Sequence, residues 1–136
     1  MKHHPSALLF GLVLAFSCRM AESAEPAAIA RTEINYLLGF IERSGCQFYR
    51  NGSWYDSQRA QEHLRTKYDF MVARDLIKTA EDFIEQAATK SSMSGIAYAL
   101  KCSGAPVVAS GLWLREVLAR YRSTAARAAV ETRDAH

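Results

Sequence analysis

The stretch Arg50-Asn51-Gly52-Ser53 lies between Cys46-Gln47-Phe48-Tyr49 and Trp54-Tyr55, and few backbones accommodate it. A two-residue type I′ hairpin turn needs positive φ at both central residues, and asparagine followed by glycine tolerates that best. Aromatic residues on either side favour extended backbone. The stretch therefore predicts a β-hairpin, and the segments around it read as helices.

Ala24 to Arg31, Ala-rich with Pro26, reads as a linker into a first helix capped by Thr32. Ile34, Leu37, Leu38 and Ile41 share one face of that helix, and Ser44-Gly45 ends it. Tyr36 and Phe40 lie off the stripe, so the helix is expected to be buried on two sides, in preference to a ligand-facing aromatic pair. Asp56 or Ser57 caps a second helix with the apolar stripe Ala60, Leu64, Tyr68 and Met71. His63 and Lys67 fall on one shoulder of that stripe.

Arg74 to Lys78 interrupts the pattern, and Thr79-Ala80-Glu81-Asp82 restarts it in the manner of a capping box. Ala80, Phe83, Ile84, Ala87 and Ala88 form the buried side, until Lys90-Ser91-Ser92-Met93-Ser94-Gly95 breaks the helix. Ile96 to Cys102 reads as a strand and Ser103 to Pro106 as a loop. Ser110 then caps a last helix facing inward through Leu114, Val117, Leu118 and Tyr121. The expected class is α+β, with about four helices and a small antiparallel sheet made of the hairpin and one later strand. A length of 136 residues suits one domain, over 32–122, followed by a charged, Ala-rich, solvated tail over 123–136.

The opening residues read as a targeting signal. Lys2, His3 and His4 precede the apolar run Ala7 to Phe16, and Ala21-Glu22-Ser23 supplies small residues for cleavage after Ser23. That run is too short for a membrane span, which takes about 20 residues. A second reading makes Cys18 a lipid-anchored N-terminus; Phe16 stands where a small residue is wanted, so soluble export to the periplasm is favoured.

Removal of residues 1–23 leaves 15 basic and 13 acidic side chains, no field for a polyanion, and nucleic acid is not an expected partner. It also leaves the pair Cys46 and Cys102. In an oxidising compartment the expectation is a disulfide, worth about 4 kcal/mol in the chain-entropy model, over a pair of free thiols.

Ser44-Gly45-Cys46 with Phe48, Arg50-Asn51-Gly52, Ala60 with His63-Leu64 and Lys67-Tyr68, Glu81-Asp82-Phe83-Ile84, and Lys90 to Gly95 with Tyr98 together carry a resemblance. Over Glu33 to Arg122 the chain resembles the YfeK-like family of small exported proteobacterial proteins, a domain of unknown function. The resemblance implies export and one small domain. It implies no reaction, and hence no catalytic residue.

Candidate binding residues are Arg50 and Asn51 at the turn, His63 and Lys67 on the second helix, and Ser92 and Ser94 in the serine-rich loop. Cationic heads, hydroxyls and loop amides suit an anion or sugar phosphate if the fold brings them together. The competing reading gives each residue a turn, boundary or capping role.

Catalysis has little to build on. Ser92 or Ser94 with His63 and Asp82 or Glu81 makes a triad on paper only, without a Gly-x-Ser-x-Gly elbow. No Cys-x-x-Cys or His-Glu-x-x-His spacing and no phosphate-binding glycine loop followed by Lys-Ser/Thr occurs, so no metal or cofactor is expected. Glu81 with Glu85, and Asp82 with Gln86, read as a solvated face. The function expected is non-catalytic binding of a protein or an anionic envelope component. The alternatives are inhibition of a cell-wall hydrolase and, less favoured, a small hydrolase activity of the chain itself. Ser94-Gly95-Ile96-Ala97-Tyr98 is similar to the loop that one group of bacterial lysozyme inhibitors inserts into its target, with Lys90 and Tyr98 as the contacts. Those inhibitors are all-β barrels, unlike this mostly helical chain.

Overall fold

The computed structural model describes residues 28–135. The segment 1–23 expected to be a targeting signal, the candidate lipid site Cys18 and His136 lie outside them. The hairpin forms as expected, with strand β1 (Gln47–Arg50) antiparallel to β2 (Ser53–Tyr55) and Arg50 opposite Ser53. Asn51 and Gly52 have φ of 47° and 88°, the two positive values a type I′ turn demands. β1 then pairs with β3 (Ala99–Lys101), and β3 with β4 (Val108–Ala109), giving the antiparallel order β2-β1-β3-β4.

β4 is an addition to the expected sheet, and β3 is shorter than the expected strand. Tyr98 is tied to Thr89 and Ser110 through backbone hydrogen bonds of 2.9 and 3.0 Å, while Ala97 forms only an isolated bridge to Lys90. The loop after the third helix folds back on itself and leaves three residues for the ladder.

Among the described residues four helices share one core with the sheet. Helix α1 (Ala28–Arg43) starts four residues before Thr32, whose hydroxyl donates to the Ala28 carbonyl from inside the helix instead of capping it. Ala-rich sequence favours helix strongly enough to extend it backwards. Helix α1 ends where Gly45 takes a φ of 65°. Helix α2 (Ser57–Val72) is capped by Asp56, which accepts from the Arg59 amide at 2.8 Å. Thr79 and Asp82 form the reciprocal capping box of helix α3 (Ala80–Asp82). α3 continues into a π-helical segment, Phe83–Ala87, where the Thr89 hydroxyl takes up the Ile84 carbonyl at 2.7 Å.

Helix α4 (Ser110–Asp134) runs on as an exposed helix through most of the segment expected to be a solvated tail. Its N-cap is Ala109, which has no capping side chain. Ser110, the expected cap, is the first helical residue, and its buried hydroxyl has no hydrogen-bond partner.

The core unites Ile34, Leu37, Leu38 and Ile41 of α1 with Ile77, Phe83, Ile84, Leu100, Leu114 and Val117, all fully buried. Helix α1 is buried on two sides: Tyr36 stacks on Tyr121 with ring centroids 4.1 Å apart, and Phe40 meets Trp113 at 5.4 Å. Cys46 and Cys102 form a disulfide that ties β1 to the end of β3. The acids read as a solvated face anchor α4, because Glu85 pairs with Arg115 and Glu81 with Arg122, which also holds the buried Glu33 at 2.5 and 2.9 Å. Among the described residues no helix is long and apolar enough to cross a membrane.

Candidate functional site

Side chains alternate across a strand, and the register sorts them. Phe48 faces both Tyr55 and Leu100, so Phe48, Arg50, Tyr55 and Leu100 point towards the helices, and Tyr98 falls on the same side just before β3. Tyr49 and Trp54 pack together on the other face, with the Lys101 ammonium 4.2 Å above the Trp54 ring. Helix α2 crosses the helical side and presents Ala60, His63, Leu64 and Lys67 one turn apart.

A cleft of about 420 Å³ opens between these elements. Its apolar lining includes Ile41, Phe48, Ala60, Leu64 and Leu114; its polar lining includes Arg50, Tyr55, Arg59, Glu62, His63, Tyr98 and Ser110. This volume and mixture are typical of small-molecule sites.

The Arg50 guanidinium donates to His63 Nδ1 at 2.8 Å, and His63 Nε2 lies 3.3 Å from the Tyr98 hydroxyl. A guanidinium has no lone pair to offer, so Nδ1 must carry the imidazole's lone pair and Nε2 its proton, which points at Tyr98. Lys67 Nζ donates to the same hydroxyl at 3.3 Å and to the Lys90 carbonyl at 2.9 Å. Lys67 and the neutral imidazole thus converge on one phenol, and Arg50 joins them through His63. Burial first, then Arg50 and Lys67, push the His63 pKa down to about 4. Burial, with Arg50 adding to it, pushes Lys67 down to about 8. Burial raises Tyr98, while hydrogen bonding and charge from Arg50 lower Tyr55.

A second cluster adjoins the first through the turn. Asn51 Oδ1 accepts from the Ser94 hydroxyl at 2.6 Å, and Asn51 Nδ2 donates to Ser91 Oγ at 3.4 Å. Ser91 Oγ also accepts the Met93 and Ser94 amides, both at 3.3 Å. Of the six expected binding residues, Arg50, His63 and Lys67 meet around Tyr98, while Asn51 and Ser94 hold the loop against the turn. Ser92 is exposed and takes no part in either cluster; the buried Ser91 makes those bonds.

The paper triad does not assemble. His63 bonds to Arg50 and Tyr98, Ser94 to Asn51, Glu81 to Arg122, and Asp82 to the start of α3. Among the described residues no cluster of three metal-ligating side chains occurs. The inhibitor reading needs Tyr98 at the surface, and Tyr98 is only 7% exposed. Arg59, Ser91 and Ser110 were not among the six expected binding residues, and Tyr98 was expected only as a contact of the inhibitor reading. For Tyr98 a signal existed: a strand that buries Leu100 turns the residue two places earlier to the same face.

The fold and cleft define a small, disulfide-tied α+β domain with a half-apolar, cationic pocket between a sheet and its helices. The chain belongs to a family of unknown function (DUF5329), whose model matches residues 28–122. No curated protein and no solved structure matches it.

Proposed function

We propose that this domain is a non-catalytic binding module for an anionic component of the cell envelope, exported as the resemblance to YfeK-like proteins implies. One observation carries the reading: Arg50 and Lys67 converge on His63 and Tyr98, and no carboxylate is hydrogen-bonded to either cation among the described residues. Glu62, the acid lining the same cleft, accepts from Gln58 at 3.2 Å. Half-buried cations without a counter-charge favour an incoming anion, and a guanidinium fork suits a carboxylate or phosphate. The disulfide fits an oxidising compartment.

The test follows the His63 ring and the amides of 91–94 by NMR while inorganic phosphate, a sugar phosphate or acetate is added. Binding moves the His63 signals and raises its pKa, because an anion stabilises the imidazolium. A His63 ring unmoved by every anion would refute the reading.

A further inference from the structure

The cleft is larger and more apolar than a bare anion requires. Phe48 and Leu64 supply hydrocarbon walls, backed by the fully buried Ile41 and Leu114, so a phosphate ion at Arg50 would leave most of the 420 Å³ unfilled. The same cleft is lined by Ser110, which is 4% exposed and whose hydroxyl has no hydrogen-bond partner. Buried hydroxyls almost always find a partner, so an orphan in a cavity wall marks where one is supplied from outside.

The local sequence explains the orphan. A serine one residue earlier would cap α4, but Ala109 holds that position. Ser110 uses its own amide on the Tyr98 carbonyl, and as the first helical residue it has no carbonyl one turn back within the helix to accept its hydroxyl.

We propose that the ligand is an amphipathic anion: an acidic head group at Arg50 and His63, an aliphatic or aromatic body against Phe48 and Leu64, and a hydrogen-bonding group on that body for Ser110. This deepens the anion-binding reading and rests on it. Three elements contribute, with Arg50 from β1, His63 from α2 and Ser110 from α4, so the head group and the hydroxyl partner are recognised separately.

Calorimetric titration of the protein with acetate, a series of alkanoates up to decanoate, their ω-hydroxy derivatives and octanol tests both layers. Affinity is expected to rise about threefold to fourfold for each added CH₂ until the cleft is filled. At one length the ω-hydroxy acid is expected to bind about fivefold tighter than its parent, and Ser110→Ala to erase that preference while sparing the parent acid. Removing an unpaired buried hydroxyl leaves the fold intact, which the thermal melt verifies, and the wild-type series needs no variant.

Acetate or phosphate binding as tightly as octanoate would overturn the amphipathic ligand while leaving the anion reading in place. Equal affinity for octanol and octanoate would overturn both. So would the absence of binding by every acid. An ω-hydroxy group without benefit at any length would remove Ser110 from the site and with it the proposal.

Discussion

Arg50 Nη1 lies 2.8 Å from His63 Nδ1, a contact that forms only while the imidazole is neutral. Its unfolded pKa lies near 6.5 and its folded pKa near 4. Between those values the unfolded chain binds the proton and the folded protein does not, so stability rises with pH across the window. The contribution is complete above about pH 6.5 and is lost as the pH falls towards about 4. It amounts to about 1–2 kcal/mol once the partial exposure of the ring is allowed for. Urea melts at stepped pH should show the loss in wild type and not in His63→Phe.

Lys67 titrates near 8 beside Arg50, His63 and Tyr98. Anion affinity is expected to be full below that value and to decline above it, as the ammonium gives up its charge. Lys67→Met should weaken acetate or phosphate binding by about fivefold to tenfold at neutral pH and flatten the alkaline decline. Titrations on both sides of the lysine's pKa check both effects; an unchanged pH profile in the variant would remove Lys67 from the site.

Glu33, 7% exposed, is held by Arg122 from the far end of the chain, and the ion pairing raises the arginine's pKa. Arg122→Met should destabilise the protein by about 2–3 kcal/mol, because it strands a buried carboxylate. Adding Glu33→Gln should recover part of that loss. Denaturant midpoints of the two single variants and the double variant decide whether the pair is coupled.

Ala109 sits in the extended conformation of an N-cap, with φ −68° and ψ 132°, yet supplies no capping oxygen. Ala109→Ser is therefore expected to stabilise α4 by about 0.5–1 kcal/mol. A thermal melt measures it; destabilisation instead would mean that the β4 pairing of Ala109 with Ala99 constrains the residue more than the cap rewards it.

Local interactions made much of the fold legible in advance. Asn51-Gly52 determined the hairpin, because only such a pair accepts two positive φ values cheaply. The Thr79–Asp82 box, the Asp56 cap and the buried stripes of α1, α2 and α4 followed from short-range periodicity, and Cys46 and Cys102 were the available pair. Boundaries set by competition between neighbours were less legible. Helix propensity in the Ala-rich entry overrode Thr32, and the backbone bonds of Tyr98 shortened β3 and placed Ala109 where Ser110 was expected as the cap.

The candidate site divides the same way. Arg50, Asn51, His63, Lys67 and Ser94 were legible as polar residues at turns and helix edges. The meeting of Arg50, His63 and Lys67 around Tyr98 was not, because it depends on the crossing of α2 over β1 and β3, between residues up to 35 positions apart, and the Asn51–Ser94 contact spans 43 positions. Ser91 rather than Ser92 joins the turn, since loop geometry selects the serine that points inward. The unpaired hydroxyl of Ser110 was equally invisible: the sequence alone determines that a serine stands near the start of α4, and only packing decides whether its oxygen meets an amide, water or a cavity. Turns, caps and stripes are energies of neighbours along the chain; a pocket depends on the space left between elements, which exists only once they have packed.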